Sequence, residues 1–149
     1  MCGILGIAVA HGQRVSLDDA AIARMRDSMS HRGPDGAGLW RHDNVVLAHR
    51  RLIVVDPTDA ASQPMRSPDG RFVLVYNGEL YNDAELRAEL AREGVVFRTH
   101  CDTETVLAAL VRWGAAAISK LRGMYAFGFV DLDRRRLILA RDALGVKPL

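Results

Sequence analysis

Apolar positions along the chain fall into two patterns, short unbroken runs and looser stripes at helical spacing. Residues 4–10 form an unbroken run, which predicts a buried strand, and a turn follows at His11-Gly12-Gln13. Leu17, Ala20, Ala21, Met25 and Met29 then recur at helical spacing behind Ser16, which offers an N-cap with Asp19 three residues on. This helix should end near Ser30, because Pro34 with Gly33 and Gly36 cannot extend it. Residues 38–40 and 45–49 read as a hairpin around His42-Asp43-Asn44 that runs on into 50–56, and 57–68 is a Pro/Ser/Asp-rich loop.

Residues 71–76 predict a nearly continuous apolar strand that stops at Asn77-Gly78-Glu79. Asn82 with Glu85 caps a helix that runs to Gly94, residues 95–98 form a short strand, and Asp102 offers a cap for a helix over 103–114. Val106, Leu107, Leu110 and Val111 are that helix's core face, and 115–121 is a second short helix. Strands over 124–132 and 137–140 follow, joined by the charged turn at 131–135. Strands with helices inserted in pairs argue for α+β with antiparallel sheets. Two sheets packed face to face with helices outside, a four-layer αββα sandwich, would bury the two-sided runs at 71–76 and 124–130.

Length and composition narrow the picture. A chain of 149 residues suits one domain over 1–149, and 49% apolar with 26% charged residues is ordinary for a globular protein. A net charge of +2 gives no argument for nucleic acid or an anionic membrane, and no window is long and apolar enough for a membrane span. The first apolar run ends in Ala8-Val9-Ala10 like a secretory signal, but no basic segment precedes it. Cys2 and Cys101 form no C-x-x-C pair, so neither a disulfide framework nor a thiolate zinc site is expected, and the location expected is cytoplasmic. His49, His100 and Cys101 lack the ligand spacing of zinc modules, so no metal is expected.

Chemistry concentrates in a few places. If Met1 is removed, Cys2 carries both a thiol and the chain's α-amine, whose pKa of roughly 7.7–8.0 would let it act as a base; alternatively Cys2 is a small buried hydrophobe. Arg50 and Arg51 point to opposite faces of a strand, so at most one can face a given pocket and bind a carboxylate. Asn77-Gly78 is most often a hairpin turn, but the helix start at Asn82 that follows puts it at a strand end instead, and Asp102 is explained by capping alone.

Taken together, Met1-Cys2-Gly3-Ile4, His31-Arg32-Gly33-Pro34-Asp35, Ala48-His49-Arg50-Arg51-Leu52, Tyr76-Asn77-Gly78-Glu79-Leu80-Tyr81-Asn82, Asp102-Thr103-Glu104 and Gly145-Val146-Lys147-Pro148-Leu149 resemble the glutaminase domain of asparagine synthetases, a class II (N-terminal-nucleophile) glutamine amidotransferase. The resemblance covers essentially the whole chain in order. It implies the N-terminal-nucleophile fold and removal of Met1, with Cys2 as nucleophile and Asn77 with the Gly78 amide as oxyanion hole. Arg51 would bind glutamine's α-carboxylate, and Glu79 with Asp102 its α-ammonium; Arg50 stays a surface arginine. Cys101 stands where the family more often has serine and is read as a small buried spacer.

The implied reaction releases glutamate and ammonia through a γ-glutamyl thioester. Its partners are glutamine, a C-terminal synthetase domain in cis that would make asparagine, and a second copy in a homodimer. No cofactor is expected in this domain; ATP and magnesium are implied only for the synthetase domain. The alternatives are the same glutaminase chemistry serving another amide or amine product, and a catalytically silent docking domain.

Overall fold

Strand β3, Val45–Arg51, is the middle of a three-stranded antiparallel sheet in the order β1-β3-β2, flanked by β1 (Gly3–Ala8) and β2 (Gly36–His42). The computed structural model describes residues 2–149. A second antiparallel sheet has the order β4-β5-β6-β7, with β4 at Met65–Arg66, β5 at Phe72–Leu80, β6 at Gly123–Asp131 and β7 at Arg136–Arg141. Helix α1 (Asp19–Asp27) covers the first sheet; α2 (Asp83–Arg92) and α3 (Asp102–Trp113) cover the second.

The three interfaces of this αββα stack are three separate apolar clusters. Ile22 of α1 packs with Val46 and Ala48, the even positions of β3. Leu47, an odd position, meets Val73, Val75 and Val130 between the sheets. Leu74, Tyr76 and Leu80 of β5 join Leu86, Leu90, Val106 and Leu110 of the two helices in the largest cluster. Alternation along each strand thus assigns every residue to a layer, as expected for sheets buried on both faces.

Several elements differ from the sequence reading for identifiable reasons. The first strand ends at Ala8, short of residue 10. Helix α1 is capped by Asp18, whose Oδ1 accepts from the Ala21 amide at 2.7 Å, in place of Ser16. The strand expected to stop at residue 76 runs on to Leu80, because Asn77, Gly78 and Glu79 pair with Ala126, Tyr125 and Met124 of β6 and no turn forms. Residues 95–98 make no strand; the Arg98 and Thr99 amides donate instead to the buried Glu104 carboxylate at 2.7–3.1 Å. Asp102 does not cap α3, whose N-cap is Cys101, and Asn82 precedes α2 but spends its side chain on the Lys120 carbonyl and the Arg122 amide, both at 3.0 Å. Residues 114–120 are 3-10 helix.

Candidate active site

The pairing of Gly3 with Arg50 brings Cys2, at the head of an edge strand, beside the end of β3. Its Sγ accepts from the Leu52 amide at 3.4 Å and lies 3.8 Å from the Leu52 carbonyl. From the loop at 31–35, Arg32 donates through Nε to the Cys2 carbonyl at 3.2 Å, while its buried Nη2 has no partner among the described residues. The expected removal of Met1 lies outside the described residues.

The two adjacent arginines part company. Arg50 turns toward α1, donating to the Gly33 carbonyl at 2.9 Å and pairing with Asp27 at 3.4 Å. Arg51 faces the other way and donates to the carbonyls of Thr58, at 3.0 Å, and Asp56. A guanidinium has five N–H groups, so this tethering orients Arg51 while leaving donors for a ligand. The tether is itself anchored: Asp56 accepts from the Thr58 hydroxyl at 2.6 Å and amide at 2.9 Å, and from the His100 amide at 3.0 Å. Those bonds, the Thr58 hydroxyl foremost, hold its carboxyl down to about 2, so the loop is fastened at any pH above the ordinary carboxylate range.

Strand β5 carries the next three groups. On its edge away from β6, the Tyr76 amide donates to Gln63 Oε1 at 2.6 Å and the Leu80 amide to Asp102 Oδ2 at 3.0 Å. Amides two residues apart in a strand point to the same edge, so the Gly78 N–H between them is aimed the same way. No side chain fits there in place of glycine, since a Cβ would fall 2.5 Å from the Met124 carbonyl and 2.7 Å from the Tyr76 hydroxyl. Asp102 is largely buried, and burial raises its carboxyl above the ordinary range.

A cavity of about 250 Å³ is bounded by Cys2, Arg51, Asn77, Gly78, Glu79 and Asp102, the six residues singled out from the sequence. Their side chains and amides supply one thiol, one cation, two carboxylates and two polarised donors around one space. Cys101 lines it too, with its thiol 3.2 Å from Thr103 Oγ1; burial pushes that thiol up, which disfavours a nucleophilic role. A second, more apolar space of about 390 Å³ adjoins Cys2 and Asn77, bordered by Leu47, Val75 and the half-exposed Leu139. Among the described residues no cluster of His, Cys, Asp or Glu could hold a metal ion.

The sequence reading missed the supports of this site: Arg32, Asp56, Gln63, Tyr76 and the buried Lys147, which also lines the cavity. Arg32, Tyr76 and Lys147 stood inside the motifs that carry the resemblance, with no role assigned to them. Gln63 and Tyr76 bond partners 13 or more positions away, which no local pattern records, while Asp56 also works within its own loop, on Arg51 and Thr58.

One odd position of β3 lies inside the sandwich with no hydrogen-bond partner among the described residues. His49, 1% exposed, has no geometric hydrogen-bond partner for either ring nitrogen among the described residues, and the nearby Tyr76 backbone only partly favours its proton. Burial, helped by the charge of Arg51, holds it down to about 4. The unfolded chain takes up this proton below about pH 6.5 and the folded chain does not until about pH 4, so stability falls as pH drops through that window. The loss amounts to about 3 kcal/mol. His49→Phe should remove it, read as a smaller fall in the urea midpoint between pH 7 and pH 4.5 than the wild type shows.

Two antiparallel sheets between helical layers, with a thiol at the head of an edge strand, make the architecture of the N-terminal-nucleophile hydrolases. The family model for the glutamine amidotransferase domain matches residues 1–149, and the chain belongs to that family. Asparagine synthetase B [glutamine-hydrolyzing] of Escherichia coli is 38% identical over 149 residues, covering 100% of this chain and 26% of its own length. A Mycobacterium tuberculosis relative is 42% identical over 164 residues, with 100% of this chain and 25% of its own covered. The chain thus spans about a quarter of the curated relatives it matches. In fold it is similar to the glutamine phosphoribosylpyrophosphate amidotransferase of Bacillus subtilis, with a TM-score of 0.71 over 97% of this chain and 38% of that one at 22% identity.

Proposed function

We propose that this domain hydrolyses the side-chain amide of glutamine through a thioester on Cys2, and that the ammonia serves an ATP-dependent synthetase domain elsewhere in the same protein, making asparagine. One observation carries the reading: thiol, guanidinium, two carboxylates and an Asn-Gly donor pair converge on one cavity of about 250 Å³. Free glutamine is a zwitterion, and burying it requires a cation for its carboxylate and anions for its ammonium. Arg51 supplies the first, Glu79 and Asp102 the second, and the side-chain amide then extends toward Cys2.

The Cys2 thiol gives its proton to the α-amine of the chain that begins at Cys2, directly or through a water. The thiolate forms a bond to the amide carbon, and the carbonyl electron pair moves onto oxygen, where Asn77 and the Gly78 N–H receive the charge. Collapse breaks the carbon–nitrogen bond as the ammonium returns the proton, so ammonia leaves and a γ-glutamyl thioester remains. Water, activated by the same amine, attacks the thioester and releases glutamate and the thiol. The apolar space that borders Cys2 and Asn77 but neither Glu79 nor Asp102 offers ammonia a way off the carbon that avoids the ammonium anchors.

In this reading the domain needs no cofactor, and ATP and magnesium belong to the synthetase part of the longer protein. The names of the curated relatives, glutamine-hydrolysing asparagine synthetases, support the choice of product. The test is to incubate the protein, its N-terminus confirmed as Cys2 by mass, with glutamine. Equimolar glutamate and ammonia are expected, together with a covalent adduct on Cys2 from 6-diazo-5-oxo-norleucine. Absence of both products and of the adduct would overturn it and leave a docking domain.

A further inference from the structure

Tyr76 is buried under the second sheet, yet its hydroxyl donates to Asp102 Oδ2 at 3.1 Å. The Leu80 amide reaches the same oxygen at 3.0 Å. Two donors from one strand therefore saturate Oδ2, and Asp102 Oδ1, contacted only by the Cys101 thiol at 3.7 Å, is the oxygen with capacity left. The same hydroxyl lies 2.7 Å from where a Cβ on Gly78 would be, so the tyrosine packs against the bare face of Gly78 while its hydroxyl holds the carboxylate. Asp102, as the first residue of α3, could otherwise turn back toward its own helix, and the Tyr76 hydroxyl together with the Leu80 amide holds it across to β5.

From this geometry we infer that Tyr76 is a specificity-determining positioning residue: its hydroxyl fixes the Asp102 carboxylate so that one oxygen faces the cavity, and thereby sets the preference for amides bearing an α-ammonium group. The inference rests on the proposed glutamine site and deepens it. Tyr76 touches neither thiol nor substrate amide in this scheme. Its removal therefore acts on recognition of the ammonium end and leaves the nucleophile alone.

The test compares glutamine with the monoamide of glutaric acid, which is glutamine without its amino group, in wild type, Tyr76→Phe, Asp102→Asn and the double variant. The readouts are kcat/KM for each amide, protection of Cys2 from iodoacetamide by each, and the unprotected alkylation rate. Tyr76→Phe keeps the ring against Gly78. It should lower the preference for glutamine over the monoamide by about tenfold and leave the unprotected alkylation rate within about twofold. In Asp102→Asn the further loss of the Tyr76 hydroxyl should change the preference little, because both act through one carboxylate. An unchanged preference in Tyr76→Phe overturns the inference, as does an equal loss for both amides or for bare alkylation. If the wild type neither hydrolyses glutamine nor is protected by it, the glutamine site itself is wrong and the inference falls with it; a wild type that does both while Tyr76→Phe matches it refutes the inference alone.

Discussion

Cys2→Ala is expected to reduce glutamine hydrolysis by on the order of 10⁴–10⁶, the loss typical when a covalent nucleophile is removed and the rest of its site remains. The sulfur's recorded contacts are with the amide and carbonyl of Leu52, at 3.4 and 3.8 Å, so alanine leaves a small gap at the margin of the fold and no buried charge. Melting temperature should therefore stay within about 2–4 °C of wild type. Arg51, Glu79 and Asp102 are untouched, so the variant should still bind glutamine, measurable by calorimetry. Loss of turnover with retained binding separates a nucleophile from a structural thiol; equal glutamate release by both proteins would exclude the thioester route.

Gly38→Ala is the most damaging single methyl predicted for the fold. Gly38 lies on β2 opposite His49, and a Cβ there would fall 1.9 Å from the Gln63 carbonyl oxygen and 3.0 Å from Pro64 Cδ. Backbone atoms cannot swing aside as a side-chain tip can. Gln63 is moreover held at its other end by the Tyr76 amide and by Thr103, so displacing it pulls on the strand that carries Asn77 and Gly78. A cost of about 4 kcal/mol or more is expected, which in a domain of this size lowers the melting temperature by roughly 8–16 °C. Melting within 2 °C of wild type would mean that this close approach relaxes freely.

The layers of the fold could be read from the sequence because they depend on local alternation. The apolar runs at 71–76 and 124–130 had to be buried on both faces, and the opposed directions of Arg50 and Arg51 followed from strand geometry alone. What escaped was decided by hydrogen bonds between distant residues. Asp102 looked like a helix cap because Asp at that position usually is one; the competing donors, Leu80 N–H and Tyr76 O–H, lie 22 and 26 positions away in sequence. Asn77-Gly78 looked like the place where the strand stops because its local propensity favours turns, while pairing with β6, more than 40 residues on, carries the strand through it to Leu80. Residues 95–98 failed as a strand for a related reason, the Val95 amide being claimed by the Leu90 carbonyl and the Arg98 amide by Glu104.

The odd–even division of β3 also bears on which genetic changes this domain can absorb. Even positions serve the α1 side, while Leu47 fills the interlayer and Arg51 reaches the cavity. A deletion of a single codon within 48–50 would barely alter composition or strand propensity, yet it must turn either the guanidinium out of the cavity or Leu47 out of the interlayer. Deleting two codons would shorten the strand but restore parity. For transplanting this constellation into another sandwich, the count to conserve along β3 is therefore evenness of spacing before length.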